Sequence, residues 1–108
     1  MKVVITDSAS ESLWPIYLYH LDYSQDYAEG FQYEIDRFMA EHLCNNHLLG
    51  HLYHKAKAVR RIIFQKRYNV YYTIHNETVF VLFIFDGRMD INQQIGADGL
   101  DVDFLNDE

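Results

Sequence analysis

The chain has 108 residues, 49% of them hydrophobic, with a single Cys and a net charge of −7. That length supports one domain with its own core. The lone Cys44 excludes an internal disulfide framework and fits a reducing cytoplasm, and no apolar run approaches the ~18 residues of a membrane-spanning helix.

Lys2–Thr6 reads as a short strand, because Val3, Val4 and Ile5 are consecutive β-branched residues suited to burial on both faces. The opening Met1–Asp7 is too short and polar-bounded for a secretory signal. A helix start follows, with Ser8 and Glu11 at capping-box spacing. Leu13, Ile16, Tyr17, His20 and Leu21 then hold one helical stripe. Pro15 conflicts with an unbroken helix, so either the helix kinks there or its regular part begins near Ser12. Ser24 offers a second N-cap. Tyr27, Ala28, Phe31, Ile35, Phe38, Met39 and His42 continue at helical spacing, with Glu29, Glu34, Asp36 and Glu41 on the wet side. The two together predict an αα-hairpin.

Asn45-Asn46 ends the second helix, and residues 45–57 read as a loop containing Gly50 and three His. Three strands are expected next, Ala58–Gln65, Tyr68–His75 and Thr78–Phe85, joined by hairpin turns near Lys66-Arg67 and Asn76-Glu77. Val79–Phe85 is apolar throughout, which places it centrally, between Tyr68–His75 and the N-terminal strand. The expected fold class is α+β in the order β-α-α-β-β-β, a helical hairpin packed on one face of a mainly antiparallel four-stranded sheet. Residues 1–96 form the domain, and 97–108 form an acidic tail able to fold back on a basic patch.

Charge is sorted along the chain. Residues 42–75 hold Lys55, Lys57, Arg60, Arg61, Lys66 and Arg67 and no acid. The segments before and after are strongly acidic, so one positive patch stands out on an acidic body. The total argues against general nucleic-acid coating. It leaves room for a local phosphate contact, because distant charges are screened within about 8–10 Å. Tyr68 and Tyr72 share one strand face and Tyr71 takes the other, where packing is their ordinary role. His42, His47, His51 and His54 raise the question of zinc. They read as loop or surface histidines, so neither metal nor cofactor is expected.

The stretch Val59-Arg60-Arg61-Ile62-Ile63-Phe64-Gln65-Lys66-Arg67-Tyr68-Asn69-Val70-Tyr71-Tyr72-Thr73-Ile74 resembles an "R-R … Y-x-hydrophobic-x-Y-x-I" double strand. Phe85-Asp86-Gly87-Arg88-Met89-Asp90 is similar to an "F-x-x-R-x-D" ending. Both patterns belong to the RelE/ParE superfamily of bacterial type II toxin-antitoxin systems, the second to its plasmid-stabilisation, ParE-like branch. The resemblance covers about residues 2–91. It implies a cytoplasmic toxin held inactive by a cognate antitoxin, with oligomers forming through that partner. RelE-like members are ribosome-dependent mRNA endonucleases, whereas ParE-like members bind DNA gyrase.

Two departures bear on the choice. Asn69 stands where RNase members often carry Arg, and no Lys, Arg, His or Tyr follows Arg88. The expectation is therefore a ParE-like toxin that inhibits by binding. The alternatives are a RelE-like endonuclease and an inactive member that keeps only protein binding. Candidate catalytic residues are Arg60, Arg61 and Arg88. Candidate target or phosphate contacts are Lys55, Lys57, Arg60, Arg61, Lys66, Arg67 and Arg88. Adjacent strand residues point to opposite faces, so Arg60 and Arg61 are not expected to meet the same ligand.

Overall fold

A computed structural model describes residues 2–45, 50–54 and 58–87. The elements are β1 (Lys2–Ile5), α1 (Asp7–Leu21), α2 (Gln25–Phe38), β2 (His51–His54), β3 (Val59–Phe64), β4 (Tyr68–His75) and β5 (Thr78–Asp86). The strands form one sheet in the order β1-β5-β4-β3-β2. β1 runs parallel to β5, and every other pair is antiparallel. The architecture is α+β, two helices packed against a five-stranded mixed sheet. β5 is flanked by β4 and β1, as its apolar run predicts. No described helix is long and apolar enough to cross a membrane.

The strand count corrects the expectation of four. β2 lies inside the stretch read as loop. It is four residues long at the sheet edge, and His51, Leu52 and Tyr53 are all exposed. Three exposed residues in a row leave no period in the sequence, and backbone pairing to β3 defines the strand.

Both helices bury a stripe against the sheet. From α1 come Ala9, Leu13, Ile16 and His20, and from α2 Ala28, Phe31 and Ile35. Pro15 lies within α1, which runs on to Leu21. The cap of α1 is Thr6 rather than the expected Ser8: its Oγ1 accepts from the Ala9 N–H at 3.2 Å. Ser24 caps α2 as its position predicts, accepting from the Tyr27 N–H at 3.2 Å. After Phe38 the helix widens into a π-helical turn, Met39–Leu43, which buries both terminal residues of that turn.

β1 covers β5 only from Thr78 to Val81. At that point and beyond it two hydroxyls complete the border. Thr6 Oγ1 donates to the Val81 carbonyl at 2.7 Å, and Ser12 Oγ accepts from the Ile84 N–H at 2.9 Å. Ser12 Oγ also donates to the Ala9 carbonyl at 2.8 Å, so α1 is fastened to β5 by its own side chain.

The continuous apolar run of β5 is explained by a bulge. Tyr71 pairs with Phe83 and Tyr72 with Val81, which leaves Leu82 as an extra residue. Val79, Val81 and Ile84 consequently join the core beneath the helices. Phe80, Leu82, Phe83 and Phe85 join a second cluster with Val59 and Tyr71. Every residue of the run has an apolar neighbourhood, and alternation is lost from the sequence.

Candidate functional site

The register of β3 and β4 separates the two adjacent arginines. Arg60 pairs with Tyr72, a member of the helix-side core. Arg61 pairs with Tyr71, a member of the second cluster. Residues directly opposite in a ladder share a face. Arg61 therefore belongs to the face away from the helices, where Asn69 lies across from both Ile63 and Phe85.

β2 adds His51 directly across from Arg61. It also brings Tyr53, whose ring lies 5.7 Å beneath the Arg61 guanidinium and 5.0 Å edge-on from the Tyr71 ring. Tyr71 is 2% exposed. Burial pushes its phenol above the ordinary value, while hydrogen bonds with Arg61 and Asn69 and the Arg61 charge pull it back. The Arg61 guanidinium thus lies over one phenol and acts on a second, buried one.

The adjoining pocket, of about 520 Å³, is lined by Arg61, Ile63, Lys66, Arg67, Asn69 and Asp86. Its rim also includes Gly87, whose N–H donates to the Arg67 carbonyl at 2.6 Å. A Cβ on Gly87 would lie 2.7 Å from that carbonyl oxygen, so the close approach requires glycine.

The cations are not equivalent. Arg67 is already engaged: its Nη2 and Nε each lie 3.0 Å from Asp86 Oδ2. Its guanidinium also covers the rings of Tyr68 at 5.1 Å and Tyr19 at 5.7 Å. Arg60 Nη1 donates to the Gly50 carbonyl at 2.8 Å. The Gly50 N–H in turn donates to the Tyr72 hydroxyl at 2.9 Å. Arg60 therefore anchors the chain entering β2, and a side chain at Gly50 would collide with Tyr72 and the Arg61 carbonyl. Lys66 is exposed at the hairpin tip. Lys55, Lys57 and Arg88 lie outside the described residues, as do His47 and the 97–108 tail.

The sequence groups Arg61 with the hairpin cations, but it offers His51 only as a loop or surface histidine and gives Tyr53 no role. The missing signal was β2 itself, since only backbone pairing reveals which histidine faces Arg61. What the arrangement can do is bind an anion: charge from Arg61 and Lys66, a hydrogen-bond donor in Asn69, and aromatic surface alongside. Compared with known proteins, the chain matches no family model and no curated protein sequence.

Proposed function

We propose that this chain is the toxin of a type II toxin-antitoxin module, ParE-like, silenced by a cognate antitoxin. It acts by docking the sheet face that carries Arg61 onto an anion-rich cellular target such as DNA gyrase. The observation that carries the reading is the placement of Arg61 itself. Its guanidinium is oriented by Tyr53 and Tyr71 at the mouth of a pocket, on the face opposite the helices. Arg67, by contrast, is matched by a carboxylate of its own chain. The superfamily reading rests on the strand motifs described above, and the helix hairpin against an antiparallel β3-β4-β5 meander is compatible with it.

A second reading has one specific observation in its favour. His51 stands across the ladder from Arg61. An imidazole is the side chain type best suited to moving a proton near neutral pH. A guanidinium beside it suits the charge that develops on a phosphate under attack. That pair would serve a RelE-like mRNA endonuclease.

Induced expression in a bacterial host separates the readings. Growth arrest with intact mRNA and a DNA-damage response supports the gyrase reading. Translation arrest with cleaved mRNA supports the endonuclease, and normal growth removes both. Arg61→Ala is expected to abolish the arrest while the chain still folds, with about 1–2 kcal/mol of stability lost with its contacts to Tyr53 and Tyr71. Arg60→Ala is expected to cost about 1–2 kcal/mol of stability, through loss of its bond to Gly50. Full toxicity in the Arg61 variant overturns the assignment of the site.

A further inference from the structure

On the other side of the molecule, α1 and α2 leave a groove of about 640 Å³ between them. Leu13, Trp14, Tyr17 and Tyr33 supply its apolar and aromatic surface, and Glu29 and Asp36 stand along it. Trp14 is 58% exposed and Tyr33 66%. Trp14 stacks on Tyr17 with ring centroids 5.6 Å apart. Large aromatic side chains left in the open beside a concavity mark an interaction surface.

Charge identifies the occupant. From Asp7 to Asp36 the chain carries seven acids and no Lys or Arg. Among the described residues, Glu29 and Asp36 accept hydrogen bonds from Gln25 and Gln32 of their own helix. The described ion pairs, Arg37–Glu41 and Arg67–Asp86, involve neither. An aromatic groove with acids left for a cation suits a helix that presents apolar anchors at i, i+3/i+4 and i+7, with Lys or Arg on either flank. The same acids repel the phosphates of a nucleic acid.

We propose that the α1–α2 groove is the docking site of a cationic amphipathic helix from a partner protein. The site is independent of the basic sheet face and does not require the toxin reading.

The chain's one tryptophan is Trp14, so its emission reports on the groove directly. The probe is a synthetic helical peptide of about 18 residues, roughly five turns, with Leu anchors and Lys flanks. A counterpart carries Glu in place of every Lys. Titration of the full chain with the Lys peptide is expected to give a saturable blue shift of Trp14 emission, and the Glu peptide none. Glu29→Lys with Asp36→Lys is expected to weaken binding about tenfold or more. Asp22→Lys with Glu77→Lys, an equal change of charge outside the groove, is expected to weaken it less than about threefold. Far-UV circular dichroism checks that both double variants fold. The proposal is overturned by the absence of saturation, by equal binding of the two peptides, or by equal weakening in the two variants. It is also overturned if sedimentation shows that the groove is filled by a second copy of the chain.

Discussion

His20 sits where both helices meet the β3–β4 hairpin, 3% exposed. Its Nε2 and the Tyr68 hydroxyl share a hydrogen bond of 2.8 Å. The rings of Phe31 and Tyr27 lie 4.6 and 4.9 Å away. Burial is the main cause that holds its pKa below the ordinary 6.5; the Arg67 charge adds to this and Asp86 opposes it. The unfolded chain therefore takes up a proton at this position before the folded one does. Stability from a neutral His20 is complete above about pH 6.5 and declines as pH falls from there toward the folded value. His20→Gln is expected to flatten the fall in stability between about pH 7 and pH 5, relative to the unaltered chain. Urea denaturation across that interval checks it, and parallel curves for the two proteins would refute the role given to His20. From sequence, His20 was legible as a member of the α1 stripe. Its pairing with Tyr68 was not, because that contact spans 48 positions and depends on how the hairpin meets α1.

At the scale of elements, the turns show what spacing conveys and what it leaves out. Gln65 and Lys66 have φ of 53° and 59°, and Asn76 and Glu77 have 50° and 61°. Two successive left-handed residues make the primed turn whose twist matches a hairpin. The sequence places the second turn correctly and shifts the first by one residue, since Lys66-Arg67 looks as turn-like as Gln65-Lys66. Of the four, only Asn76 is a residue type that tolerates this conformation well. Glu77→Gly creates the favoured Asn-Gly pair and is expected to raise stability by about 1 kcal/mol. A guanidinium melt with an unshifted or lowered midpoint would contradict this. The two helices and β5 were readable because each buries apolar side chains in sufficient number. The bulge at Leu82 was invisible, because a strand apolar on both sides reads the same with or without it. β2 failed to register for the opposite reason, since His51, Leu52 and Tyr53 are exposed in succession.

For the whole molecule, the central position of β5 sets a hierarchy of opening. Val79, Val81 and Ile84 are fully buried, and β5 is hydrogen-bonded to β4 on one side and β1 on the other. β2 is held by one neighbour and is exposed from His51 to Tyr53. Amides of β5 are expected to exchange with solvent only through global unfolding, and those of β2 through local opening at far lower free energy. Hydrogen exchange followed by NMR decides this, and equal protection of the two strands would exclude it. The segregation of charge seen in the sequence becomes spatial in the fold. The helix pair carries the acids, the hairpin carries Arg61 and Lys66, and Arg67 with Asp86 ties the hairpin to the end of β5. Which cation remains available for a partner was beyond the sequence, because it depends on whether a carboxylate or a carbonyl lies within 3 Å of it.

Thr6 and Ser12 bond backbone groups on β5 at the end of its pairing with β1 and beyond it. A polypeptide shorn of its first dozen residues loses both hydroxyls together with the parallel neighbour. The most apolar ribbon of the molecule then has a bare margin, a template on which other copies can stack by strand addition. The leading segment thus shields that margin, and its removal is expected to promote association of the chain through β5.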